Sequence, residues 1–135
     1  MHNITWIGNN LGITDDKGGL EATQRGDFTV INVATEANNP KADILAPLPL
    51  FSVDSNILDK LSTVIEEIVK ENTGLKSKVV IHDVFGIERS GLVAAWTIHR
   101  ANKISLEDAY KKVMEKNSKV KDYSDWITGN DKEVI

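Results

Sequence analysis

The sequence predicts an α/β fold in which a central, mainly parallel, twisted sheet is flanked by helices. Three observations carry this. Short β-branched apolar runs alternate with stretches of helical length, the pattern that lays parallel strands beside crossover helices. The run Val79-Val80-Ile81 passes through a loop bearing Gly86 straight into the continuous apolar segment Gly91 to Ile98, a strand-loop-helix unit. The chain has 135 residues, 41% hydrophobic and 27% charged, which suits one domain with a real core. That domain is expected to span 1–135, with a core over about 4–127 and a frayed tail over 128–135.

Taken in order, Ile4 to Ile7 alternates and is β-branched, so it reads as a first strand, and Gly8 to Gly12 as the turn out of it. Asp15 to Gly19 reads as a loop and Leu20 to Gln24 as a short helix ended by Gly26. Phe28 to Ala34 is near-continuously apolar, the mark of a strand buried on both faces. Thr35 to Pro40 is the loop beyond it. Ile44 to Leu50 reads as extended, and its prolines place it at an edge. Asp54 or Ser55 caps a helix running to about Glu71, whose stripe is Ile57, Leu58, Leu61, Val64, Ile65 and Ile68. After the Gly91 helix, Ser105 and Asp108 form a capping-box variant, opening a helix that buries Ala109, Val113 and Met114. Tyr123 to Ile127 reads as a short last helix.

The composition narrows the chemistry. A net charge of −4 leaves no broad basic surface, so no nucleic-acid partner is expected. No apolar run approaches the roughly 18 residues of a membrane span, and Met1-His2-Asn3 shows no export signal, so a cytoplasmic setting is expected without a membrane partner. There is no cysteine, which rules out disulfides, thiolate zinc sites and thiolate catalysis. His2, His82 and His99 are too scattered for a metal centre, and neither metal nor cofactor is expected.

The strand-loop-helix unit is where chemistry is expected. Such a loop aims several backbone N–H groups and a helix N-terminus at one point, which makes an anion site, and Arg89 at its rim adds a donor fork. The spacing resembles the phosphate loop of the dual-specificity branch of the protein tyrosine phosphatases, His-Cys-x5-Arg-Ser/Thr. The match is at His82, Gly86, Arg89 and Ser90; where that family carries its nucleophilic cysteine, this chain has Asp83. The likeness extends to Val30-Ile31-Asn32-Val33 with Glu36, to Pro47-Leu48-Pro49, and to Ile104 through Ala109, so that most of residues 4–127 is covered.

The resemblance implies a compact dual-specificity-phosphatase-like fold. It also implies that the backbone of Val84, Phe85, Gly86, Ile87 and Glu88, with Arg89, holds a phosphate. His82 braces the loop, and the Ser90 hydroxyl assists the second step. The nucleophile does not carry over, because a carboxylate replaces the thiolate at Asp83. The general acid falls by the family's spacing on Leu50 or Phe51, neither of which donates a proton. Asp54 is the substitute candidate, although the residue also suits a helix N-cap.

A fixed carboxylate under a phosphate repels it by roughly 4 kcal/mol per unit charge at about 4 Å and an effective dielectric near 20. Asp83 is therefore expected to satisfy the loop itself as a built-in anion. Of the flanking residues, Glu88 either orients Arg89 or faces solvent, with solvent preferred. Phe85 is either a wall for an aromatic phospho-substrate or a packing residue. Trp96 reads as core, His99 and Arg100 as favourable charge at a helix C-terminus, and Lys111, Lys112 and Lys116 as a solvated face. Three readings follow. The first is a phosphatase-like domain without turnover, natural or inactivated by substitution. The second is a lineage that hydrolyses phosphotyrosine, phosphoserine or phosphothreonine through a cysteinyl-phosphate. The third is a non-catalytic module that binds a phosphorylated protein or a small phosphate ester.

Overall fold

A computed structural model of the protein describes residues 4–34, 36–37, 39–71 and 74–129. Of the frayed tail expected over 128–135, Thr128 instead pairs with Asp54, and residues 130–135 lie outside the described residues, as do His2, Thr35 and Asn38. Along the described residues the chain runs β1 (Thr5–Trp6), β2 (Leu11–Thr14), α1 (Asp16–Arg25), β3 (Thr29–Asn32), β4 (Ile44–Leu45), β5 (Val53–Asp54), α2 (Ser55–Glu71), β6 (Val79–His82), α3 (Arg89–Asn102), α4 (Leu106–Lys116) and β7 (Ile127–Thr128).

The main sheet has the order β1-β2-β6-β3-β4, which puts β6 at its centre. β6 pairs in parallel with β2 and β3, β3 pairs in parallel with β4, and only the edge strand β1 is antiparallel. All four residues of β6 are buried, as a β-branched run between two parallel neighbours should be. Alternation along the strands divides the two faces. Val79 and Ile81 join Ile13, Ile31 and Val33 in the main core, on the side packed by α2, α3 and α4. Val30, Val80 and His82 face the other side, which α1 covers.

α3 is the least exposed helix, with every residue from Arg89 to Ile98 buried, because it packs against both α2 and α4 as well as the sheet. Each fully buried leucine, isoleucine or valine there contributes about 1.5–3 kcal/mol relative to exposure. Trp96 is buried and donates from Nε1 to Asp59 Oδ1 at 2.8 Å, while Arg100 donates to the Asp59 carbonyl at 2.8 Å. Those contacts give Arg100 a specific partner beyond the helix dipole. Ser105 accepts from the Asp108 N–H at 3.0 Å, so the predicted cap of α4 forms.

Several sequence expectations are corrected. Leu11-Gly12-Ile13-Thr14 is a strand rather than part of a turn; its four residues are too few to show a period, and its pairing with β6 settles the matter. The helix expected at Leu20 starts earlier. Asp15 accepts from the Gly18 N–H at 2.8 Å and caps α1, and Gly26, at φ 68°, ends it. Gly18 and Gly19 read as loop residues because paired glycines usually mark turns, yet here they let the helix lie directly on the sheet. Ile57 and Val64 are exposed rather than part of the buried stripe of α2. The last helix is a 3-10 turn over Ser124–Trp126 that leads into β7, which pairs with β5 in a small second sheet.

The closeness of α1 to the sheet can be tested at one atom. A Cβ on Gly19 would stand 2.2 Å from His82 Cδ2. Gly19→Ala should therefore destabilise the protein by about 1–3 kcal/mol, the cost of overpacking, despite alanine's better helix propensity. Urea unfolding would measure this. A gain in stability would mean that α1 rides higher on the sheet.

Candidate functional site

The site lies where β6 ends, at the carboxyl edge of the parallel strands, the place where open α/β sheets present their ligand loops. His82 is the last strand residue and α3 begins at Arg89, so residues 83–88 form the loop between them. Gly86 has φ 77°, and a Cβ there would stand 2.7 Å from the backbone of Thr14 and Asp15. Both the dihedral and the closeness of the neighbouring chain require glycine. The Asp16 N–H donates to the Val84 carbonyl at 3.1 Å and ties the loop to the start of α1.

Asp83 is fully buried at the centre of this loop. Its Oδ1 accepts from the Gly86 N–H, and its Oδ2 accepts from the N–H groups of Glu88 at 3.3 Å and Ser90 at 3.1 Å. The Ser90 N–H belongs to the first turn of α3, so the carboxylate sits at a helix N-terminus, where negative charge is favoured. Three backbone donors pointing into the loop are thus engaged by a side chain of the loop itself.

Arg89 is 2% exposed and is held from outside the loop. Its Nη1 and Nη2 donate to the two carboxylate oxygens of Glu36 at 2.9 and 2.8 Å, a bidentate fork, and Nη1 also donates to the Leu48 carbonyl at 3.1 Å. The fork holds the Glu36 carboxyl below its ordinary range, chiefly through the hydrogen bond from Arg89. Sequence reasoning gave Glu88 the choice of orienting this arginine, but the residue bonded to it is Glu36, 53 positions earlier in the chain. The signal available was Glu36 in the loop four positions past the end of β3, which marks its place at the same sheet edge but not its partner. Arg89 Nε and Ser90 Oγ are buried without a hydrogen-bond partner, two polar atoms left over at the loop.

His82 lies behind the loop, fully buried. Its Nδ1 is 3.2 Å from the Asp83 carbonyl oxygen, and its Nε2 is 3.1 Å from Nδ2 of the buried Asn39. With the amide nitrogen of Asn39 facing it, Nε2 accepts and Nδ1–H donates to the carbonyl, which fixes the tautomer. Asn39 also donates to Thr23 Oγ1 at 2.9 Å, so the network runs from α1 to the loop. Burial lowers the His82 pKa, opposed by the Asp83 backbone bond and by the charges of Asp83, Asp16 and Asp15.

The other residues singled out fall around the edge. Asp54 accepts from the Asn56 N–H at 2.8 Å and is engaged at the head of α2. Phe85 stands out into solvent, 69% exposed, rather than packing the loop. Val84, Ile87 and Glu88 are partly exposed, and Ile87 packs against the main core. Phe51 is exposed and takes φ 69°. Among the described residues no group of three or more histidine, aspartate or glutamate side chains is placed to hold a metal ion.

The two shifted groups predict how stability depends on pH. His82 is favoured neutral in the folded state, so its contribution is complete above the ordinary value of 6.5 and declines as the unfolded chain takes up a proton below it. The Glu36 pair contributes fully above 4.5 and is lost as pH falls through the lowered value. Denaturation midpoints should fall in two stages on acidification. His82→Gln should remove the first stage and Glu36→Gln should diminish the second. A single stage indifferent to both substitutions would contradict these assignments.

No protein-family model and no curated protein sequence matches the chain. Its structure does have counterparts. It superposes on human DUSP28 with a TM-score of 0.70 at 16% identity, covering 91% of this chain and 86% of that one. Tk-PTP in the active form gives 0.70 at 21% identity, with 91% and 90% covered. The human tyrosine phosphatase-like serine/threonine/tyrosine-interacting protein gives 0.71 at 14% identity, with 93% and 91% covered. The chain has the fold shared by the dual-specificity and tyrosine phosphatases.

Proposed function

We propose that this is a phosphatase-like domain without phosphatase turnover, whose loop is closed by its own aspartate. One observation carries the reading: the Asp83 carboxylate accepts the N–H groups of Gly86, Glu88 and Ser90. Cysteine-dependent phosphoryl transfer needs a thiolate at that place and free donors for the phosphate oxygens. The sequence supplies no thiolate anywhere, and three N–H donors of the loop and the first turn of α3 are engaged by Asp83. A phosphate entering the loop would meet a buried carboxylate, repelling it by roughly 4 kcal/mol per unit charge at about 4 Å and an effective dielectric near 20. Leu50 and Phe51, at the expected position of the general acid, have no proton to give, and Asp54 is engaged as a cap. Cytoplasmic location is part of the proposal.

Arg89 Nε and Ser90 Oγ favour a second reading, in which the loop binds an anion without catalysis. They are donors that an anion could engage, and a phosphorylated protein or a small phosphate ester would be the partner. In either case Arg89, held by Glu36, is the residue whose loss should matter most for anion affinity.

The test is hydrolysis of a small aryl phosphate by this chain and by Asp83→Cys, side by side in a chelator. The expected result is a silent parent and measurable turnover in Asp83→Cys, which would mean a site lacking only its nucleophile. Turnover by the parent would refute the proposal. Silence from both would show that the site lacks more than the nucleophile, and Arg89-dependent phosphate binding would then decide for the second reading.

A further inference from the structure

The surface around the loop is built differently from a phosphate site. Two sets of aromatic side chains flank the amino end of α3. Phe85, inside the loop, is 69% exposed. Phe51, 72% exposed, lies three residues beyond the Leu48 carbonyl that Arg89 grips. Its ring packs edge-on against Trp126 at 5.2 Å, and Trp126 lies against Tyr123 at 4.4 Å. The segment carrying those two rings is fixed beside α3, since Val120 fills the space over Gly91 in the helix's first turn. Leu50, next to Phe51, is also exposed. Exposed apolar side chains gathered at one edge mark an interaction surface more than scattered ones do.

Carboxylates predominate on this sector, beside three exposed cations: Lys119 and Lys121 on either side of Val120, and Lys17 next to the Asp16 that bonds Val84. Glu36 is half-exposed, Glu88 is partly exposed, and Asp54 and Asp125 are exposed. Arg89, the cation between them, is buried and bound to Glu36. A phosphate approaching this edge would therefore meet mainly carboxylates. An arginine or lysine would meet carboxylates to pair with and aromatic faces to stack on.

We infer that this face docks an unphosphorylated protein segment in which arginine or lysine side chains flank an aromatic or aliphatic one. The inference rests on the reading that Asp83 fills the loop. The aromatic anchors would receive the apolar residue, and Glu36, Glu88, Asp54 and Asp125 would receive the cations. The pairing should weaken as salt rises, because these carboxylates are at the surface.

The test is a set of amide-resolved NMR titrations of the full chain. The probes are three peptides with one shared Phe-Leu centre, flanked by arginines, by glutamates, or by arginines with a central phosphoserine, and inorganic phosphate alone. The arginine-flanked peptide should shift Phe51, Phe85 and Trp126 and bind at least about tenfold more tightly than the glutamate-flanked one. The double variant Phe51→Ser/Phe85→Ser, altered only at exposed side chains, should keep its dispersed spectrum and lose at least about tenfold in affinity. Equal or tighter binding of the glutamate or phosphoserine peptide would overturn the inference, as would shifts confined to another face. Silence of the loop amides toward phosphate together with no response to the arginine peptide would overturn the docking alone. Saturable shifts of Gly86 and Ser90 with inorganic phosphate would overturn the filled-loop reading beneath it.

Discussion

The Asp83 carboxylate at the amino end of α3 is the contact on which the site's character depends. A loop that turns from a buried strand into a buried helix leaves N–H groups pointing inward, and each unpaired one costs about 1–3 kcal/mol. In a phosphatase with a thiolate at this place, such donors wait for substrate. Here a side chain of the loop takes three of them without any ligand. On the proposed reading, stability and anion affinity pull in opposite directions, since what satisfies these donors would also repel a phosphate.

Around that centre the structure holds the loop from three sides. Gly86 packs against the backbone at Thr14 and Asp15, His82 links the loop to Asn39 and Thr23, and Arg89 reaches Glu36 and Leu48. Each link crosses from the loop, or from β6 or α3 beside it, to a different part of the chain. The glycines of α1 belong to the same arrangement, because only without a Cβ at Gly19 can the helix approach His82. The loop is thus braced by side chains, while Phe51 and Phe85 at its rim are left to solvent.

Much of this was legible in the sequence, for identifiable reasons. The central strand, the loop and α3 announced themselves through a long apolar signal interrupted by glycine and followed by arginine. α2 and the cap of α4 were legible from stripe and capping chemistry, and Trp96 from its place in an apolar helix. What escaped was set by contacts distant in the chain. β2 is four residues long with a glycine inside, and only its neighbours β1 and β6 make it a strand. α1 begins with a glycine pair whose purpose is the sheet beneath. The Arg89–Glu36 fork joins residues 53 apart, which no local pattern encodes. The residue type at Asp83 implied a built-in anion, but the donors it would take depended on the fold of the loop.

The most direct test of the central claim is a crystal structure of the protein grown from about 1 M sulfate, a concentration at which an open phosphate loop should fill. The account predicts Asp83 on the N–H groups of Gly86, Glu88 and Ser90, with no sulfate above it. A sulfate seated on those N–H groups and on Arg89, with the Asp83 carboxylate turned away, would contradict it.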